Sequence, residues 1–129
     1  MLIETVLRSA QSLLKSRKVQ DAVIGISLLA VQLDDGHVGV SYVLREDLAA
    51  GCSIFPFGRE VIGQDASVIG EWAATGRDNL QKAIGIAVLS AASRGLDLND
   101  VATREQPFGV EVRSSDTIGM IGYIHPVAN

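Results

Sequence analysis

"AVIGISLLAVQLDDGHVGVSYVL", Ala22 to Leu44, is the stretch whose reading decides the fold. Two apolar runs, Ala22 to Leu33 and Val38 to Leu44, flank Asp34-Asp35-Gly36-His37. β-branched and aromatic side chains suit the half-buried surface of a pleated strand, so each run reads as a strand. Asp-Gly between such runs is a strong hairpin signal, because glycine accepts the positive φ that a tight turn requires. The stretch therefore predicts two strands paired antiparallel around a turn at Asp34–Gly36. Cys52 to Phe55 adds a third strand, confined to an edge or ended by Pro56, which has no ladder donor.

The flanks are helical. Leu2, Ile3, Val6, Leu7, Ala10, Leu13 and Leu14 recur at three and four and predict a helix with one buried face. After Asp65, the residues Val68, Ile69, Trp72 and Ala73 share one face of a short helix, and Thr75-Gly76 offers its stop. Asp78 opens a longer helix, capping the amides that follow while Gln81 reaches back, and Gly95 ends it after about Arg94. Gly85 costs about 1 kcal/mol relative to alanine inside a helix. Together with Ala83, Ala87, Ser90, Ala91 and Ala92 it predicts close approach by a strand or a second helix. From Leu96 to Ser115 the pattern is poor, although Phe108, Val110 and Val112 alternate like a short strand. The fold class expected is α+β: an N-terminal helix, an antiparallel meander, then helices packed on one face.

The chain has 129 residues, 47% hydrophobic and 20% charged, which makes a single globular domain the default. A net charge of -4 offers no electrostatic footprint for nucleic acid or anionic lipid. Arg8, Lys15, Arg17 and Lys18 read as the solvated face of the first helix. Cys52 is the sole cysteine, so an intrachain disulfide and a thiolate cluster are both excluded. The longest apolar run, Val23 to Val31, falls well short of the roughly 20 residues that cross a bilayer, and Glu4 stands where a signal peptide carries positive charge. The chain is expected in the cytoplasm, with no membrane partner.

A catalytic nucleophile needs a neighbouring base with its own orienting group. The two histidines, His37 and His125, stand at no such spacing from Cys52 or a serine, so no catalytic residue is assigned. Asp34, Asp35 and His37 could place oxygen and nitrogen donors around a divalent metal, but Asp-Asp-Gly is also what a hairpin turn wants for backbone reasons, and the turn is the preferred reading. Trp72 reads as core or interface rather than a stacking platform. Gly119 and Gly122 give only G-x-x-G, with no helix after them to hold a phosphate.

"VIGISLLAVQLDDGHVGVSY" (Val23 to Tyr42), "GREVIGQDASVIGEWA" (Gly58 to Ala73), "NLQKAIGIAVLSAAS" (Asn79 to Ser93) and "SDTIGMIGYIHP" (Ser115 to Pro126) together resemble the two-domain "putative heavy-metal chelation" proteins. The resemblance spans nearly the whole chain and rests on glycine and alanine packing signatures. Ser90 departs from it, standing where members tend to carry asparagine. It implies an enolase N-terminal-like domain over residues 1–114. Residues 115–129 would be the first strand, Thr117 to Ile124, of a Rossmann-like second domain. It also implies a ligand or divalent transition metal held at that second domain or at the cleft between the two.

Of that region this sequence carries Gly122, Tyr123 and Pro126 as candidate ligand contacts. His125 lies beyond a strand end, where α/β sheets gather ligands, and joins His37 and Asp35 as a candidate metal ligand. The expected partners are a Rossmann-like domain, in cis or in trans, and further copies of the chain. The function expected is that of a non-catalytic accessory domain capping a site on that partner. The alternative is a free-standing structural domain whose C-terminal strand pairs with another chain.

Overall fold

The computed structural model describes residues 1–43, 46, 58–97, 113–117 and 119. They run α1 (Leu2–Leu14), β1 (Val19–Ile24), β2 (Leu28–Leu33), β3 (Val38–Tyr42), α2 (Gly58–Val61), α3 (Ala66–Thr75) and α4 (Asn79–Ser93). This is the α+β class read from the sequence: a helix, a three-stranded antiparallel meander in the order β1-β2-β3, then helices. Contacts divide the chain into two compact units, Met1–Asp97 and Leu98–Asn129. In the second unit Asp116 donates its amide to the Arg113 carbonyl and accepts the Arg113 amide on its carboxylate, closing a turn.

The hairpin of β2 and β3 turns where Asp34-Asp35-Gly36 predicts. Gly36 donates its N–H to the Leu33 carbonyl at 2.9 Å, and Leu33 donates to the His37 carbonyl at 2.9 Å. Gly36 takes φ +87°, completing a three-residue loop in which a turn is followed by one left-handed residue. The strands before it differ from the sequence reading. Ala22 to Leu33 is two strands rather than one, because Gly25 donates to the Leu28 carbonyl at 2.7 Å and reverses the chain through Ile26 and Ser27. Gly25 and Ser27 are isolated turn residues within an otherwise apolar run, so the run concealed the reversal. The meander therefore gains its third strand at Val19, ahead of the quoted stretch. The segment expected to supply that strand, Cys52 to Phe55, lies outside the described residues, as does the alternation at Phe108 to Val112.

The sheet has two different faces. Val19, Leu29, Val31, Leu33 and Gly39 point inward and are buried, with Ala22 and Ile24 partly so. Helix α4 covers that face, burying nine residues from Gln81 to Ala92. Its start matches the capping expectation with a one-residue difference. Asp78 Oδ1 accepts the Gln81 amide at 2.8 Å, while Gln81 Oε1 accepts the amide of Arg77, the residue before the cap. That second bond satisfies a glutamine side chain in the core, where an unpaired amide would be costly.

Two glycines set how close the layers come. A Cβ on Gly39 of β3 would land on the Ala87 carbonyl oxygen and the Ala91 amide nitrogen of α4. A Cβ on Gly85 of α4 would land on the Ala73 amide nitrogen of α3. The close approach expected at Gly85 is therefore made by a helix. α1 closes the core with Ala10 and Leu14 buried and Ile3, Leu7 and Leu13 packed beside them, one face of a 3.6-residue period.

Candidate functional site

Asp35 and His37 sit together at the tip of the β2–β3 hairpin. The Asp35 carboxylate accepts the His37 amide on Oδ1 at 3.0 Å, a local side-chain-to-backbone bond that favours aspartate in turns. Its Oδ2 lies 3.0 Å from His37 Nδ1 and 3.2 Å from Arg17 Nε. A longer contact, 3.9 Å, joins the Arg17 guanidinium to Asp34. Asp34 also donates its amide to the Lys18 carbonyl at 2.9 Å, which draws the end of the α1–β1 connection onto the turn.

Arg17 does not lie on the solvated face of the first helix, where its spacing predicts it. α1 ends at Leu14, Ser16 takes φ 64°, and the chain swings Arg17 off the helix toward the hairpin tip. Helical periodicity carries no trace of a contact made by chain reversal, so only Asp34 and Asp35 themselves hinted that a cation would be near.

Burial pushes the Asp35 carboxyl up, since its side chain is only 17% exposed. The His37 amide, the His37 imidazole and the Arg17 guanidinium together outweigh that effect and hold its pKa below the ordinary 3.8. A carboxyl depressed on folding stabilises the fold above its unfolded pKa, and the contribution disappears as pH falls through the folded value. Asp35→Asn is therefore expected to lower the urea midpoint at pH 6, with the gap to the parent chain closing below about pH 4. A gap that persists unchanged at pH 3 would show that Asp35 acts through its turn bond rather than its charge.

His37 Nδ1 is enclosed and makes no well-aligned hydrogen bond, although Asp35 Oδ2 is within ion-pair distance. The side chain as a whole is 40% exposed, so solvent reaches the ring elsewhere. With the Asp35 carboxylate 3.0 Å from Nδ1, the other ring nitrogen is the one that could take a ligand. As two ligands to one ion the pair fits poorly, because the Arg17 cation occupies the same carboxylate oxygen a metal would use. As one imidazole donor supported by Asp35 it fits. Among the described residues, no group of three or more His, Cys, Asp or Glu side chains is placed to hold a metal ion. His125, Gly122, Tyr123 and Pro126 lie outside the described residues, so the structure brings together two of the sequence candidates, Asp35 and His37.

Two clefts among the described residues lie elsewhere. One of about 320 Å³ runs between α1 and the end of α4, lined by Val6, Ala10, Leu13, Leu89 and Leu96 with several hydroxyls. Another of about 270 Å³ lies between α1 and α3, where Glu4, Arg8 and Glu71 sit at a mostly apolar wall. Neither includes the hairpin tip. No described helix is long and apolar enough to cross a membrane.

A crystal structure of a protein with unknown function from the DUF364 family of Desulfitobacterium hafniense shares this fold. It aligns with a TM-score of 0.50 and 12% identity over 68% of this chain and 35% of its own. The chain thus spans about a third of the length of that relative. No curated protein matches the chain. A family model does match, across residues 7–93, a segment that holds Arg17, Asp35, His37, Gly39 and Gly85. On that match, which covers most of the chain, this protein belongs to the family described as "Putative heavy-metal chelation".

Proposed function

We propose that the chain is a non-catalytic accessory domain that caps a ligand or divalent transition metal site on a Rossmann-like partner domain, in cis or in trans, in the cytoplasm. A sheet packed on a helix, with a charged hairpin tip, is compatible with the enolase-cap-like role. The observation that carries the reading is the donor set at that tip. His37, supported by Asp35, supplies one imidazole, and one imidazole completes a site more readily than it makes one, since structural and catalytic metals take three or four protein ligands. Family membership supports the metal class, and the DUF364-family relative sets this fold within a chain about three times as long as the matched part.

The tip is expected to report metal weakly. Adding zinc to the isotope-labelled full chain should move the His37 imidazole signals continuously in fast exchange, without saturation at micromolar zinc. Slow exchange with saturation at one equivalent would contradict an accessory role, because it signals a complete site within this chain.

A further inference from the structure

We infer that the outer face of the sheet is the interface of a two-fold dimer, so the partner it fits is a second copy of this chain. The face is built by alternation: Val23 on β1, Leu28 and Ala30 on β2, and Val38, Val40 and Tyr42 on β3 all point away from α4. Val23, Leu28, Val38, Val40 and Tyr42 are between 44% and 65% exposed. A sheet with one solvated face ordinarily alternates apolar inward with polar outward. Here the outer positions are apolar as well, with Asp21 and Gln32 confined to one end.

Those five side chains present about 500 Å² per copy, so stacking two copies removes about 1,000 Å², the size at which a specific interface becomes credible. Ala30, Gln32 and the rim add to it. The cross-strand register supplies the complementarity. Val23 pairs with Ala30 and Ala30 with Val40, so the middle row is a trough between two valines. The next row places Leu28 beside Tyr42. With a two-fold axis along the strands, like rows meet. With the axis over β2, Ala30 of one copy faces Ala30 of the other and Val40 faces Val23 of the other, at the roughly 30° crossing of aligned sheets.

Charge permits the same partner. Each copy carries a net charge of -4, so self-association needs a face clear of acidic groups. Asp21 is the one acidic residue among these outward positions, and it stands in the row farthest from Leu28 and Tyr42. This inference is independent of the metal reading.

Sedimentation equilibrium of the full chain tests it. The parent chain is expected as a dimer at tens of micromolar, and Val40→Glu as a monomer with an unchanged far-ultraviolet spectrum. Should Val40→Glu fail to fold, Val40→Thr keeps the strand preference and is expected to weaken dimerisation about tenfold or more, because a two-fold interface carries each substitution twice. A parent chain monomeric at those concentrations, or a dimer indifferent to both substitutions, overturns the proposal. So does a dimer that both substitutions leave intact and that deletion of residues 116–129 abolishes, since the C-terminal strand would then be the interface.

Discussion

Gly39→Ala is expected to lower stability by about 3 kcal/mol, near the upper end of what overpacking costs. The added methyl meets backbone on both sides, the Ala87 carbonyl oxygen and the Ala91 amide nitrogen, with Ala91 Cα 3.0 Å away. A flexible side chain could step aside; a helix backbone moves only as a unit. Relief therefore lifts α4 from the sheet and loosens its contacts with Leu29, Val31 and Leu33, the buried centre of the core. Alanine would otherwise gain about 0.5–1 kcal/mol over glycine within a strand, so the two effects oppose and the clash decides the sign. Against a total of about 5–15 kcal/mol, a loss of this size removes a large share of the fold's stability. It should appear in thermal unfolding as a fall of about 10 °C or more. An unchanged midpoint would mean that the sheet and helix are not in contact at Gly39.

Gly85→Ala separates packing from propensity in a different way. Propensity alone makes this a stabilising change of about 1 kcal/mol, since glycine is a poor residue for a helix interior. Packing predicts the reverse. The new Cβ would press on the Ala73 amide nitrogen and lie 2.8 Å from the Trp72 carbonyl carbon, so α3 and α4 must part. The expected net result is a loss of about 2 kcal/mol in denaturant unfolding, with the overpacking cost exceeding the propensity gain. A gain in stability would place α3 farther from α4 than described. Gly76, where the sequence offered a helix stop, makes a related point. Its φ is -54°, so no left-handed cap requires glycine there; the lack of a side chain matters because the Lys82 amide nitrogen would lie 2.8 Å from a Cβ.

These positions also show which parts of the fold a reader of the sequence can recover. Features whose cause is local were legible. The turn at Asp34–Gly36 follows from the backbone needs of a hairpin. The start of α4 follows from an aspartate with a glutamine three residues on, and the buried face of α1 from its periodicity. Features that depend on the pairing of distant segments were not. The apolar run from Ala22 to Leu33 reads as one strand because Gly25 and Ser27, which make the reversal, stand singly among apolar residues. Arg17 was assigned to a helix it has already left, since its contacts with Asp34 and Asp35 exist only once the hairpin folds back. Asp34, Asp35 and His37 are legible from adjacency in sequence, whereas Arg17 beside the two carboxylates comes from the fold.

The same distinction bears on function. On the function proposed above, a hairpin tip with one imidazole and a carboxylate already engaged by arginine contributes to a site that other residues complete, and on the further inference the outer sheet face is covered by a second copy. The central claim, that metal chemistry in this family is completed outside this domain, is tested most directly by calorimetric titration of nickel into the full chain and into the His37→Ala/His125→Ala variant. Binding by the parent chain no tighter than about 1 mM, and lost in the variant, is the predicted result. Stoichiometric binding at about 1 μM, retained when both histidines are gone, would contradict it.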